Sequence, residues 1–422
     1  MGVEGADADG GFFQPLPLQR ARIDTAATRV RLRAAGSTRS FSTPNHFLVE
    51  SAARRWPRSV VGETVFAGTV TTAERALSAQ PVAGRIIVLL GVPDAAVAQA
   101  AARLARRGAA AVLLLIDDAE LYDSYAGGRS PTRYSLRGSG GSGASALPVV
   151  LAGPLLTRAV LGDVPAARLD AVAASTAPAV LLPSRAEVTL VLDVAALSSA
   201  NVAAIVHGTD PERVDELVVF TAHYDHLGIG PPGESGDSIY NGFSDNAAGT
   251  AMLLEIASAV ARAPPPRSVL FLFFAAEEVG LLGSSFYVAS PLLPLERIRA
   301  LINLDAGAPP APPVAWRLAG GARSTFGARA AELVRAQGYT ATLDRGSPNS
   351  DYWPFLARGV PAIFLVPGQT FEGLGGAAAE RLREHWDRYH RPDDHWHADF
   401  PFAGLKRYAE LALRIGIAAA RR

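Results

Sequence analysis

Apolar residues gather along this chain into two kinds of run. Short, nearly continuous ones occupy residues 84–90, 109–116, 216–221, 268–275, 300–304 and 360–366, bounded by polar or turn residues. Between them, at 95–107, 247–261, 323–337 and 405–420, apolar residues recur every three or four positions. The first pattern predicts strands buried on both faces, the second amphipathic helices. Their alternation predicts an α/β fold with a mostly parallel mixed central sheet flanked by helices. In such sheets the ligand crevice lies beyond the carboxyl ends of the strands, so the residues at those ends carry the information about chemistry.

Proline clusters at 231–232, 264–266 and 309–313, and a Gly-rich tract at 138–143, read as surface loops. Residues 59–183 alternate strand and Ala-rich helix and contain no histidine. The expected division is therefore residues 1–58 as N-terminal strands belonging to or packing on the main domain, 59–183 as a smaller α/β insert, and 184–422 as the main α/β domain. No apolar run approaches the roughly 18 residues of a membrane-spanning helix. The first residues have neither a basic start nor an apolar core and read as no secretory signal.

Composition narrows the chemistry. Forty Lys+Arg balance forty Asp+Glu, so nothing global favours nucleic acid or an anionic surface. The absence of cysteine excludes disulfides, thiolate zinc sites, iron–sulfur clusters and a cysteine nucleophile. Neither His-Glu-x-x-His nor Gly-x-Ser-x-Gly occurs. Two matches to Gly-x-Gly-x-x-Gly, at 138–143 and 228–233, lack the strand before or the helix after that a dinucleotide site needs, and read as loops.

The carboxyl ends of the strands are more specific. Thr221-Ala222-His223-Tyr224-Asp225-His226 closes one, and Asp245 stands at the start of the next helix. Glu277 and Glu278 come directly after the most apolar strand, Asp305 ends another, and His390 lies in a late loop. Singly each has an ordinary explanation: Asp245 an N-cap, the Glu pair a first helical turn, His390 a surface residue. Together at one rim they need a common cause, because carboxylates buried without counter-charge are costly. A pair of divalent cations is such a cause. Two histidines and three carboxylates, one of them bridging, suit zinc, with manganese or cobalt as substitutes, and a spare Glu remains to accept a proton.

These blocks resemble the co-catalytic zinc exopeptidases that include bacterial leucyl aminopeptidases, aminopeptidase Y and glutamate carboxypeptidase II. The resemblance spans about residues 201–394, through Ala222-His-Tyr-Asp-His-Leu-Gly, Gly242-Phe-Ser-Asp-Asn-Ala-Ala-Gly, Ala276-Glu-Glu-Val-Gly-Leu-Leu-Gly-Ser, Asn303-Leu-Asp, Ser350-Asp-Tyr and Tyr389-His-Arg-Pro-Asp-Asp. It implies that Asp245 bridges two zinc ions, that Glu278 and His390 complete one site, and that His223 and Asp305 complete the other. It further implies that Glu277 is the general base, that Asp225 orients His223, that Asp394 supports His390, and that the Asp245–Asn246 peptide is cis. Residues 59–183 resemble the protease-associated domain inserted in many relatives, and export to the periplasm or medium is the family habit. Ser350-Asp351-Tyr352 departs from the commoner Ser-Asp-His, and residues 347–349 carry no tyrosine for an oxyanion.

The activity expected is release of N-terminal amino acids from peptides by a zinc-bridged hydroxide, with Tyr240, Phe243, Tyr352, Trp353 and Phe371 as an apolar pocket. Arg345, Arg358 and Arg388 keep a carboxypeptidase or other amide hydrolase on the same scaffold in view. A binding scaffold without catalysis is the alternative from a different class.

Overall fold

The structure is a computed structural model that describes residues 2–34, 36–50, 59–127, 130–137 and 147–421. The Gly-rich tract at 138–143 lies outside the described residues. The chain forms two units, one of Met1–Pro17 with Ser198–Arg422 and one of Leu18–Leu197.

The sheet of the first unit has the order Thr340–Leu343, Ala315–Ala319, Ala362–Pro367, Ile298–Asn303, Leu217–His223, Ser268–Phe274 and then the strand that ends at Val206. Leu217–His223 runs parallel to both neighbours, and Ile298–Asn303 runs parallel to Ala362–Pro367. The pairings of Ala315–Ala319 with Ala362–Pro367 and of residues 202–206 with Ser268–Phe274 are antiparallel. This is the mixed, mostly parallel sheet that the alternation of runs predicts.

Every residue of Leu217–His223 and Ser268–Phe274 is buried, because successive side chains leave a strand on opposite faces and both faces are covered. Val218, Phe220, Val269 and Phe271 pack on Met252, Leu253, Tyr408 and Leu411 from the helices Ala248–Arg262 and Ala403–Arg421. Leu217, Val219, Leu270 and Leu272 meet Tyr287, Val288, Tyr352 and Phe355 from the short helices Leu282–Ala289 and Tyr352–Ala357. Those two helices are too short for a 3.6-residue period to register in the sequence. The strands Ala315–Ala319 and Thr340–Leu343, short and near the sheet edge, leave no continuous apolar run either.

In the second unit one sheet has the order Ser37–Ser42, Arg29–Ala34, Val180–Thr189, Ser59–Thr69, Ile86–Leu90, Ala111–Leu115, Val149–Ala152, Phe47–Val49. Its helix Ala95–Arg106 starts at Asp94, whose carboxylate accepts the Val97 amide as an N-cap. Because Val180–Thr189 pairs with both Arg29–Ala34 and Ser59–Thr69, the strands between residues 29 and 49 belong to this sheet, and the expected boundaries at 59 and 183 fall inside it. Among the described residues no helix is long and apolar enough to cross a membrane.

One close approach sets the position of the later site. Gly249, in the first turn of Ala248–Arg262, lies so near the end of the Ile298–Asn303 strand that a Cβ would stand 2.4 Å from the Leu304 carbonyl oxygen and 2.2 Å from Asn246 Oδ1. Gly→Ala inside a helix ordinarily stabilises by about 1 kcal/mol. Here Gly249→Ala is expected to destabilise by roughly 1–3 kcal/mol through overpacking. A chemical denaturation midpoint equal to or above that of wild type would contradict this.

Candidate metal centre

Each prospective donor leaves the carboxyl end of a strand or the loop facing it. His223 is the last residue of Leu217–His223, and its side chain is almost fully buried. Its Nδ1 lies 3.0 Å from the backbone oxygen of Asp225, which leaves Nε2 to face the site. The Asp225 carboxylate accepts the amides of Glu277, at 3.1 Å, and Glu278, at 3.4 Å. It thereby clamps the turn after Ser268–Phe274, in which Ala276 has a φ of 61°.

Asp245 is fixed from both sides in sequence. The Asp394 carboxylate accepts the amides of Ser244 at 3.0 Å and Asp245 at 3.3 Å. Asn246 donates its side-chain amide to the Leu304 oxygen and accepts the Gly249 amide, each at 3.0 Å. The Asp245–Asn246 peptide is cis. Asp394 thus holds the backbone that carries Asp245, in place of the expected support to the His390 ring.

Below Asp305 runs a chain of hydrogen bonds. Thr221 donates to Asn303 Oδ1 at 2.6 Å, Asn303 donates to Ser350 Oγ at 2.7 Å, and Ser350 donates to Asp305 Oδ2. Thr221 and Asn303 are partners in the parallel register of their strands, so sheet pairing itself orients the Asp305 carboxylate and turns Oδ1 toward His223.

The donors meet around Asp245. His223 Nε2 lies 3.1 Å from Asp245 Oδ1 and 2.8 Å from Asp305 Oδ1. His390 Nε2 lies 3.0 Å from Asp245 Oδ2 and 3.4 Å from Glu278 Oε2. All five presumed ligands therefore converge, with one Asp245 oxygen turned to each group. A further side chain joins them: His226 Nδ1 is 2.7 Å from Glu278 Oε1. The sequence motif contains His226 without assigning it a role, and its three-residue spacing from His223 is the signal that could have raised it.

Electrostatics explain what such a cluster requires. Burial disfavours a charged His223, yet its hydrogen bonds to Asp245 and Asp305 lift its pKa well above the imidazole range. Burial would raise Asp245 too, but His223, His226 and His390 hold it below the usual carboxylate range. Asp305 is raised by burial and by the Asp245 charge. Glu277 is pushed up to about 9 by burial, with Asp351 and Asp305 adding to the effect. Asp351 is fully buried, and that burial pushes it up to about 7. Among the described residues no Lys or Arg forms an ion pair with any of these acids. A bound cation would offset the cost of burying these carboxylates in their charged form, and the imidazole and carboxylate donors suit zinc.

Beside Asp245 and Asp305 opens a cavity of about 390 Å³, walled by Phe364, Val366, Phe371, Trp386 and Tyr389 and reached by Arg317, Arg383 and Arg388. Phe371 is there as expected, while the other expected pocket residues lie elsewhere. Tyr352 is fully buried in the core, with its hydroxyl exchanging hydrogen bonds with the backbone of Ser347. Trp353 carries the Arg323 guanidinium over its ring at 5.2 Å. The Phe243 ring packs on Phe400 and Phe402, and Tyr240 donates to the Pro231 oxygen. Phe364 and Val366, which the motifs do not include, come from the strand Ala362–Pro367 instead.

A mixed α/β sheet that gathers imidazoles and carboxylates around one shared aspartate is the layout of a co-catalytic metallopeptidase. The chain belongs to Peptidase family M28, whose model matches residues 201–415. A probable leucine aminopeptidase 2 of Aspergillus oryzae is 30% identical over 198 residues, which cover 44% of this chain and 36% of that protein. Aminopeptidase YwaD of Bacillus subtilis is 40% identical over 73 residues, 17% of this chain and 14% of its own. The chain thus spans little over a third of the fungal relative and less of the bacterial one. Among solved structures, an aminopeptidase from Aneurinibacillus sp. strain AM-1 shares the fold, with a TM-score of 0.58 at 20% identity over 97% of this chain and 84% of that one.

Asp351 gives a pH-dependent prediction for the metal-free protein. Its folded carboxyl holds a proton up to about pH 7, whereas the unfolded one releases it near pH 4. Wild-type stability is therefore progressively lost as pH rises through this window. Asp351→Asn removes the ionisation, so its stabilising effect is expected to be larger at pH 8 than at pH 5 by on the order of 2 kcal/mol. Equal effects at both pH values, by thermal melting in chelator, would refute it.

Proposed function

We propose that this chain is an aminopeptidase that removes N-terminal residues from peptides with two zinc ions. The observation that carries the reading is the sharing of Asp245, with Oδ1 at 3.1 Å from His223 and Oδ2 at 3.0 Å from His390. His223, Asp245 and Asp305 would hold one cation and Asp245, Glu278 and His390 the other, supplying an acidified water and polarisation of the scissile carbonyl. Glu277 takes the proton of the attacking water and delivers it to the leaving amine, the role for which a carboxylate spared from ligation is suited. Asp225 keeps Glu277 and Glu278 in register through their amides. Phe364, Val366, Phe371 and Trp386 receive an apolar side chain.

A second reading is favoured by one residue. Arg317 pairs with Asp344 and Arg388 with Asp393, but Arg383 at the same cavity bonds through Nη1 only to the neutral Gln369. A guanidinium so placed could take a substrate carboxylate, as a carboxypeptidase requires. Arg345 and Arg358 are exposed and lie outside this cavity.

Glu277→Gln is expected to retain about two zinc ions per chain by elemental analysis, as wild type does, while activity on aminoacyl anilides falls roughly 10²–10⁴-fold. Chelation should abolish wild-type turnover and zinc should restore it. Cleavage of N-blocked peptides with no action on anilides would replace the aminopeptidase reading by the carboxypeptidase one. A Glu277→Gln variant as active as wild type would remove Glu277 from the mechanism.

A further inference from the structure

We infer that His226 is a metal donor, so that one of the two cation positions is closed by four protein donors, His226, His390, Asp245 and Glu278, and the other by only three. This rests on the two-cation reading above and deepens it. His226 Nδ1 lies 2.7 Å from Glu278 Oε1 and 4.0 Å from Asp245 Oδ2. Donor atoms of His226, Asp245 and Glu278 lie within 4.8 Å of one another, as do those of His223, Asp245 and Asp305. With the 3.0 and 3.4 Å separations of His390 from the same two carboxylates, these distances bracket the roughly 3.3 Å between donors arranged tetrahedrally at zinc–ligand lengths of about 2.0–2.1 Å.

The ring is seated for this task. A Cβ on residue 242 would stand 2.6 Å from His226 Cγ, so the imidazole rests against bare backbone at Gly242, whose φ is 67°. Its Nε2 is buried without a partner, which leaves Nδ1 as the nitrogen with acceptors before it. The His226 side chain is 7% exposed against 37% for His390.

The consequence is unequal affinity. Closed four-donor sites are those that retain zinc, whereas three-donor sites keep a coordination position open. The position shared by His226 and His390 holds its zinc more tightly, and the position of His223 and Asp305 is the one left accessible to substrate.

The test uses the zinc-loaded full-length chain. X-ray absorption should count three imidazoles over two zinc ions in wild type and two in His226→Ala, and competition with a chelator should show two release steps at least tenfold apart. His226→Ala should weaken the tighter step at least tenfold. His226→Asn keeps an N–H donor near the place of Nδ1 without its ligating lone pair, and it should be as weak as the Ala variant. Wild-type retention of zinc by His226→Asn would make His226 a hydrogen-bond donor to Glu278 only and overturn the inference. So would two imidazoles over two zincs in wild type, with unchanged binding in His226→Ala, and the two-cation reading would then stand. A wild-type chain that takes up no zinc overturns both. Near-UV circular dichroism matching wild type establishes that the variants are folded.

Discussion

The cost of burying many carboxylates at one place is the constraint to which the rest of the first unit answers. Asp225, Asp245, Glu277, Glu278, Asp305 and Asp351 crowd the rim of the sheet, and no Lys or Arg among the described residues forms an ion pair with any of them. A single imidazole, His223, stands between Asp245 and Asp305 at 3.1 and 2.8 Å, and one ring nitrogen carries at most one proton. Burial therefore raises Asp305, Glu277 and Asp351 together. Burying carboxylates in their charged form is costly, and a bound cation would offset that cost for a cluster that faces imidazoles.

The rest of the first unit can be understood as support for that arrangement. Strand register aligns Thr221 with Asn303, and the hydrogen bonds continue through Ser350 to Asp305. Asp394 and Asn246 hold the backbone on either side of Asp245. Gly249 permits the helix to approach Leu304, and without that approach Asp245 and Asp305 could not share His223. Among the described residues the non-glycine positive-φ positions are Ser175, Ala276, Leu281 and His390. All but Ser175 lie in or beside the site segments, as expected when backbone strain is stored where side-chain geometry matters.

What could be read from the sequence was the part encoded locally. Buried strands announce themselves as continuous apolar runs, and their ends announce His223, Glu277, Glu278 and Asp305, so the sheet and the converging donors were legible together. Most of the cavity wall was not, because Phe364, Val366 and Trp386 belong to separate segments joined only by tertiary packing. Tyr352 misled for a related reason. It comes just after Ser350 and Asp351, which do face the site, but it begins a helix whose inner face belongs to the core. Asp394 was recognised as relevant, yet a carboxylate's choice between backbone amides and an imidazole is set by the loop conformation, which no residue spacing records.

The adjacent pair Glu277 and Glu278 shows how one turn makes two chemistries from the same side chain. After Ala276 enters the left-handed region, Asp225 accepts both amides, so the two carboxylates are anchored to a common backbone. Glu278 faces His226 at 2.7 Å and His390 at 3.4 Å. Burial, with Asp351 and Asp305 adding to it, pushes Glu277 up to about 9. In the proposed mechanism these neighbouring carboxylates divide the work of holding a cation and carrying a proton. The division depends on the position of Asp225, whose carbonyl also orients His223. One residue between the two halves of the site thus couples Glu277 and Glu278 to His223.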